Sequence, residues 1–550
     1  MDLGYAARPS EGWRPGALQP IPAADGRDAD NPILVWLRVS RVPGWITTAL
    51  LTLGTLLLRL PLLTPRLAHW DAVNYALGLH DFNVAAHQPH PPGSPYFILL
   101  GRAALALMGD DNAALTLVSL GASVGAVLAE YSLARLIFGP RVGVLAAVLL
   151  MTQPVFWGYG TMATPWTLLT CLSLLIGLSS LLLIRGRQGL VLPSALLVGL
   201  ASGFRLDATV FLGPLWVWAV RRSEPRWSRR LLALALVAVC VLVWLGPVVV
   251  WSGGPGLWSD RMLALLPSTD ASIGARVRQF AANTAISFGT LAFSIGPALL
   301  VSLLGDWRAA VRWLRHLELR TFWILWIAPA FVFLWLVDST EPGHDLVYTV
   351  ALCALGAGIV LATVRTLPRV MVAGTLLVAA QVAVFLFAAP QFGRPLAWTA
   401  NSMLLNVTAP GLRLHQASLD EALHAIRDRF DPRQSVVLTV TGQDPYRFMM
   451  YYLPEYRVLR LDPQTHSVLA AQGRQQGTWS AQAGSECLVD GRVRYAVWVV
   501  SARSEVGIVP SGGTPLTSMN EGPFQVWEMD PGPEAVDYLG FKLGGDCLTN

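Results

Sequence analysis

Ionisable side chains cluster in the stretch "AHWDAVNYALGLHDFNVAAHQPHPPGSP" (68–95), which follows directly on an apolar run. Asp71 begins a short predicted helix, "DAVNYALGL", where the helix dipole keeps a carboxylate ionised. A charged acid beside a membrane-length apolar run requires a partner or a chemical task. The stretch also contains Asp81, and His87 and His90 stand next to prolines. The simpler alternatives are that Asp71 caps the helix and that the histidines are ordinary loop residues.

The same stretch predicts two short helices joined by a turn. Polar side chains recur at i, i+3, i+4 and i+7 over Asp71–Gly78, which indicates an amphipathic helix lying in the membrane interface. "HQPHPPG" favours an extended turn, because residues ahead of proline avoid the α region. Ser94 is then expected to cap a second helix, with Pro95 in its first turn and Gly109 at its end.

Two further polar islands separate later apolar runs. "GFRLDATVF" carries Arg205 and Asp207, and "VDSTEPGHDLVY" carries Glu341 and His344. A guanidinium between two apolar runs offers a bidentate fork to a phosphate or a lipid headgroup. The alternative is a structural ion pair of Arg205 with Asp207 or Asp71. Together these islands predict ligand binding or chemistry on one face of a membrane.

Composition indicates the class of protein that must position these groups. Of 550 residues, 53% are apolar and 14% charged, whereas roughly 25% of residues are charged in a soluble domain. A bilayer core requires roughly 20 apolar residues per helix. The sequence predicts a polytopic membrane protein with eleven spans, at 45–64, 113–136, 142–158, 165–184, 190–206, 207–220, 231–251, 286–304, 321–338, 345–364 and 369–389.

The orientation follows from the short helix predicted over 95–108. At about 1.5 Å per residue it is only about 21 Å long, so we leave it out of the spans. With the N-terminus inside, the arginine-rich loops, including "RRSEPRWSRR", then lie on the cytoplasmic side, as the positive-inside rule requires. The polar stretch and the C-terminal tail are therefore predicted outside the cytoplasm, on a multi-pass protein of the inner (plasma) membrane.

The predicted fold is mainly α, a polytopic membrane helix bundle with a small extracytoplasmic α/β domain. Its three segments are a cytoplasmic, largely disordered segment 1–44, a transmembrane domain 45–389 and a soluble C-terminal domain 390–550. The tail shows an amphipathic helix near 417–430 and the strand-like runs "SVVLTV" and "YAVWVV". Cys487 and Cys547 allow one disulfide if the tail lies in an oxidising compartment.

The order of these features resembles the GT-C superfamily of polyprenyl-phosphate-sugar-dependent glycosyltransferases. Within this superfamily the chain resembles the bacterial family 39-like transferases, which are akin to protein O-mannosyltransferases and lipid A aminoarabinose transferases. The first span, the Asp-bearing helix, "HPPG" and the short apolar helix carry the resemblance, and "GLASGFRLD" and "STEPGHDLVY" stand where the family has later outer-facing motifs. The resemblance covers about residues 45–390.

The resemblance implies an inverting transfer of a sugar from a polyprenyl-phosphate donor to a lipid, glycan or protein acceptor on the outer face. Asp71 occupies the position of the family's loop carboxylate and is expected to be the general base. Arg205, helped by His87, His90 or His344, is expected to stabilise the departing phosphate. The residues expected to bind substrate are Asp81, His87, His90, Arg205, Asp207 and His344.

The chain departs from the family pattern at two places. Ala72 follows Asp71 where many members carry a second acid, and "GYGTMATPW" has no carboxylate although relatives often place one there. Both departures argue against a metal site, so we predict no cofactor and keep a divalent metal as the less favoured alternative. Membrane lipids are expected partners and nucleic acid is not. A transporter or flippase of lipid-linked sugars and a catalytically silent cell-envelope scaffold stay open as alternatives.

Overall fold

The structure is a computed structural model. It describes residues 43–263, 273–317, 319–337, 341–364, 367–390, 401–440, 444–462, 467–472, 474–477, 495–500, 513–518, 523–529, 536–538 and 541–543. Cys487 and Cys547, between which the sequence allows a disulfide, lie outside these residues, as does nearly all of the segment predicted to be disordered.

Helices make up nearly all of the described chain up to residue 387. In chain order they are α1 (Gly44–Arg59), α2 (Trp70–His80), α3 (Pro95–Met108), α4 (Asp111–Phe138), α5 (Pro140–Thr152), α6 (Pro154–Tyr159), α7 (Trp166–Ile184), α8 (Val191–Phe204), α9 (Leu206–Ser223), α10 (Trp227–Trp251), α11 (Pro255–Leu263), α12 (Ile273–Ser294), α13 (Gly296–Leu304), α14 (Trp307–Arg315), α15 (Arg320–Leu336), α16 (Leu346–Thr363) and α17 (Leu367–Phe387). Each predicted span contains a helix, because a backbone in lipid must satisfy its hydrogen bonds internally.

The helices that can cross a bilayer unaided are fewer than the eleven predicted spans. In the described chain, six helical segments are long and apolar enough to cross a membrane: Gly44–Leu62, Asp111–Phe138, Trp166–Ile184, Trp227–Trp251, Leu346–Thr363 and Arg369–Phe387. Two bent pairs, α12 with α13 at 59° and α14 with α15 at 97°, bring the number to eight. The predicted span 142–158 is broken because α5 ends before Pro154, which starts α6. The protein is nonetheless a polytopic membrane protein.

The loop between α1 and α4 contains the two predicted short helices, α2 and α3. Helix α3 begins at Pro95 and ends at Gly109, as predicted, but Ser94 makes no side-chain capping bond and has a left-handed backbone with φ of 39°. The prediction that α2 exposes a polar face at the membrane interface is wrong, because every residue over 71–79 is buried. Helix α2 lies between the bundle and the C-terminal domain and therefore has no face in the lipid interface.

The C-terminal domain has an α/β fold. Its helices are α18 (Asn401–Asn406), α19 (Ala409–Arg427) and α20 (Asp444–Tyr452), and its strands are β1 (Ser435–Val440), β2 (Arg457–Asp462), β3 (Ser467–Gln472), β4 (Gln475–Gly477), β5 (Tyr495–Val500), β6 (Thr514–Pro515), β7 (Gln525–Met529), β8 (Val536–Tyr538) and β9 (Phe541–Leu543). A seven-stranded sheet has the order β4-β3-β2-β1-β5-β7-β6, and β8 pairs with β9. Central β1 is parallel to β2 and β5, and the outer pairs are antiparallel.

The two predicted strand runs coincide with β1 and β5, so those predictions are confirmed. Both runs are almost entirely buried, since they form the centre of the sheet. The amphipathic helix predicted near 417–430 is α19, which begins earlier, with Pro410 in its first turn.

Candidate active site

The N-terminus of α2 is capped by His69. The Nδ1 atom of His69 accepts a hydrogen bond from the backbone N–H of Asp71, at 3.1 Å. Because Nδ1 is the acceptor, the imidazole proton is on Nε2, which donates to a carboxylate oxygen of Glu341 at 2.8 Å. The capping interpretation of Asp71 is therefore wrong, and its carboxylate lies in the first turn of α2.

The Asp71 carboxylate is buried against His90. Only 8% of Asp71 is exposed, and its Oδ1 atom lies 3.3 Å from Nδ1 of His90. His90 belongs to the proline-rich turn between α2 and α3. Its imidazole centre lies 6.2 Å from the Trp70 ring and 5.6 Å from the Tyr75 ring. The turn thus presents an imidazole to the carboxylate inside an aromatic enclosure.

Opposing effects act on the pKa of Asp71. Burial raises the pKa of its carboxyl, because the charged form loses solvation. Electrostatic interactions with four neighbours oppose this effect, namely those with His90, His69, Arg205 and His344. Together these interactions outweigh the effect of burial and hold the pKa of Asp71 below its usual range. The Asp71 carboxyl is therefore ionised at neutral pH. Burial also lowers the pKa of His90, with Asp71 opposing the shift.

A second group of side chains surrounds Arg205, at the extended break between α8 and α9. The guanidinium donates from Nη2 to Oδ2 of Asp207 at 2.6 Å, and Nδ1 of His344 lies 3.2 Å from the same oxygen. The Trp166 ring packs against both Arg205 and His344, with its centre 4.1 Å from Cζ of Arg205 and 4.5 Å from the centre of the His344 ring. The ion pair of Arg205 with Asp207, considered above as an alternative to phosphate binding, is present.

Tyr75 connects the two groups. Its hydroxyl oxygen lies 3.5 Å from Nη1 of Arg205, and it stands one helical turn after Asp71 on α2. Burial raises the pKa of Tyr75 to about 12. The hydroxyl is therefore neutral and accepts from the guanidinium. Asp71 and Arg205 consequently lie in one cluster, although 134 positions separate them in the chain.

The structure brings five of the seven predicted site residues together, namely Asp71, His90, Arg205, Asp207 and His344. Asp81 is exposed at the other end of α2, about 15 Å from Asp71 at about 1.5 Å per residue. His87 has a left-handed backbone, and its ring centre lies 6.4 Å from that of Trp70. The roles predicted for these residues stay predictions.

Four side chains of the cluster were not among the predicted site residues. His69 had a usable signal, since a polar residue directly ahead of a helix is a cap candidate. Glu341 and Tyr75 stood in the polar segments already singled out. Trp166 gave no signal, because an aromatic residue at the start of a span is common.

In the part of the chain that the structure describes, no three His, Cys, Asp or Glu side chains are grouped so as to hold a metal ion. The prediction that the site uses no cofactor stays a prediction. The cluster itself offers an ionised acid, a buried arginine and two aromatic enclosures within one polar region.

Comparison with known proteins gives one partial family match. The family described as dolichyl-phosphate-mannose-protein mannosyltransferase matches residues 89–251, which run from the proline-rich turn to the end of α10. No curated protein matches the chain.

Solved structures show the fold. ArnT from Cupriavidus metallidurans, bound to undecaprenyl phosphate, is similar with a TM-score of 0.53 and 15% sequence identity, over 88% of this chain and 98% of that chain. The apo state of the same protein gives the same values. This chain has an ArnT-like GT-C fold. The Archaeoglobus fulgidus oligosaccharyltransferase has a TM-score of 0.43 at 14% identity, over 75% of this chain and 64% of that chain.

Within this GT-C fold the cluster occupies the loop between the first two long helices and the ends of the later helices that meet it. The matched segment 89–251 contains His90, Arg205 and Asp207, whereas Asp71 and His344 lie outside it. The cluster is therefore assembled from the matched segment and from parts of the chain on both sides of it.

Proposed function

We propose that this protein is a membrane glycosyltransferase of the inner (plasma) membrane. It moves a sugar from a polyprenyl-phosphate donor to a lipid, glycan or protein acceptor on the extracytoplasmic face. Three observations support the proposal: the GT-C fold, the partial match to a mannosyltransferase family, and the undecaprenyl phosphate bound in ArnT. The observation that carries it is the buried, ionised Asp71 in one cluster with Arg205.

Arg205 is the proposed phosphate ligand. Its Nη2 donates a hydrogen bond to Asp207, and its Nη1 donates one to the Tyr75 hydroxyl. The buried Nε has no hydrogen-bond partner among the residues described. A guanidinium has five N–H donors, so an ion pair with one carboxylate does not exhaust it. A phosphate oxygen placed at Nε would gain a charge-assisted hydrogen bond that strengthens as the sugar leaves. The ion pair and the phosphate role are therefore compatible.

Asp71 is the proposed general base. Its carboxylate removes the proton from an acceptor hydroxyl or amine, whose lone pair attacks the anomeric carbon of the donor. The bond between that carbon and the phosphate oxygen breaks, and its electron pair leaves with the polyprenyl phosphate beside Arg205. Attack on the face opposite the leaving group inverts the anomeric configuration. The low pKa of Asp71 keeps it ionised before the reaction.

The test is Asp71→Asn, with Asp428→Asn as the matched control. Asp428 is an exposed acid at the end of α19, so its loss changes the charge without touching the cluster. Removing a general base should lower the rate of transfer from a polyprenyl-phosphate sugar by about 100- to 10,000-fold. The assay measures the rate at which the purified protein releases polyprenyl phosphate from the sugar donor. Each variant must first show the melting temperature of the wild-type protein.

Wild-type turnover by Asp71→Asn would remove Asp71 from the mechanism. If the wild-type protein instead moves the lipid-linked sugar from one leaflet of a vesicle membrane to the other, with the glycosyl bond intact, the flippase alternative replaces this proposal.

A further inference from the structure

Helix α20, "DPYRFMMYY", belongs to the C-terminal domain but bonds to the loop that carries Asp71. Arg447 and Tyr452 bond to that loop, and Tyr451 bonds to the first residue of α4. Arg447 and Tyr451 stand at i and i+4 on one face of the helix, and Tyr452 lies about 100° further round. A short helix therefore contacts two points of the loop between α1 and α4 and a third at the start of α4.

The first point lies just ahead of α2. The Tyr452 hydroxyl accepts the backbone N–H of Leu67 at 2.9 Å, and Leu67 is fully buried two residues before the capping His69. The neighbouring residue is held as well. Gln416 of α19 accepts the backbone N–H of Arg66 at 3.1 Å and donates to its carbonyl at 3.4 Å. The backbone that leads into α2 is thus bonded on two successive residues.

The second point lies in the turn that carries His90. Arg447, which is 5% exposed, donates from Nη2 to the backbone carbonyl of Ala86 at 2.7 Å. Ala86 precedes the left-handed His87 and stands four residues before His90. A buried guanidinium on a backbone carbonyl makes a charge-assisted bond, which is stronger than a neutral one.

The third point closes the far end of α2. Tyr451 donates to Oδ2 of Asp111, the first residue of α4, at 2.6 Å. Nε2 of His80, the last residue of α2, lies 2.8 Å from the other oxygen of the same carboxylate. Asp111 therefore joins the end of α2 to helix α20.

Helix α2 also packs against the C-terminal domain through apolar side chains. The apolar residues of α2 share one hydrophobic core with the C-terminal domain; they are Ala72, Val73, Tyr75, Ala76, Leu77 and Leu79. On the domain side this core includes Phe448 and Met449 from α20. Because both faces of α2 are covered, its position depends on the C-terminal domain as well as on the bundle.

We infer that α20 positions the active-site loop, with Tyr452 as the positioning residue for the capped first turn that bears Asp71. The inference rests on the proposed function only for its catalytic consequence. If the Tyr452 hydroxyl is removed, the buried N–H of Leu67 loses its acceptor, and the segment that holds His69 and Asp71 opens more often. The carboxylate then spends less time in reacting geometry, while the Arg205 cluster keeps its own contacts.

The test compares Tyr452→Phe with Tyr456→Phe in the full-length protein. Tyr456 is the matched control, because its buried hydroxyl donates to the Phe430 carbonyl at 2.7 Å, inside the C-terminal domain. Both variants lose one buried hydroxyl. Only Tyr452→Phe should accelerate hydrogen exchange in the peptide that contains Leu67, by roughly 5- to 30-fold, as loss of one such bond predicts.

The catalytic readout is the division between kcat and KM. Tyr452→Phe should lower kcat by about tenfold and leave KM for the donor unchanged, because it moves the base and not the phosphate site. Equal exchange in the two variants, or faster exchange without loss of kcat, would overturn the inference. If the wild-type protein shows no transfer, the proposed function fails and the exchange comparison decides the positioning role by itself.

Discussion

Gly343 is the position where a single added methyl group should most directly disturb the candidate site. A Cβ atom there would lie 2.3 Å from Cδ2 of Trp166, and 2.5 and 2.6 Å from Cγ and Cε2. Carbon atoms pack at about 3.5–4.0 Å, so the loop or the ring must move by roughly 1 Å. Trp166 is 1% exposed, so its ring is enclosed by the protein. Such overpacking costs about 1–3 kcal/mol of folding free energy.

The displaced ring packs against two side chains of the site. Arg205 lies 4.1 Å from the ring centre of Trp166, and His344 lies 4.5 Å from it. A misplacement of about 1 Å in reacting geometry costs on the order of 100-fold in rate. We therefore expect Gly343→Ala to lower transfer from a polyprenyl-phosphate sugar by about 100-fold.

The assay measures initial transfer rates and unfolding midpoints on the same detergent preparation. Gly189→Ala is the control, because Gly189 is exposed and a Cβ there meets no atom within 4 Å. A Gly343→Ala protein with wild-type rate and midpoint would refute the constraint on Trp166. A lowered midpoint with an unchanged rate would show that the ring supports the fold and not the reaction.

Two further predictions concern the charges of the cluster. Burial raises the pKa of Asp71, and His90 is the largest of the charges that lower it below 3.8. His90→Gln should therefore move the acid limb of the kcat profile to higher pH, and an unmoved limb would contradict the pairing. Asp207→Asn leaves the 6%-exposed side chain of Arg205 without the carboxylate at 2.6 Å. It should lower the free energy of unfolding by about 3 kcal/mol; a chemical denaturation change below about 1 kcal/mol would show that the ion pair is not structural.

Much of the fold could be predicted because its causes are local. An apolar run in a bilayer must be helical, so a helix occurs within each predicted span. β-Branched runs such as "SVVLTV" form strands for an equally local reason. The errors arose where neighbours decide the outcome. Helix α2 has polar residues at helical spacing, yet it packs on both sides, so its polar positions face protein and not an interface.

The candidate site divides in the same way. Residue types and their order along the chain were sufficient to single out Asp71, the proline-rich turn and Arg205 as polar groups that need a task, because a charge near lipid is costly without one. Which groups meet was decided only by tertiary structure. His69 contacts Glu341 across 272 positions of sequence, and Arg205 contacts Tyr75 across 130. No local pattern encodes such pairs, since they form only when the packed helices and the C-terminal domain bring distant loops together.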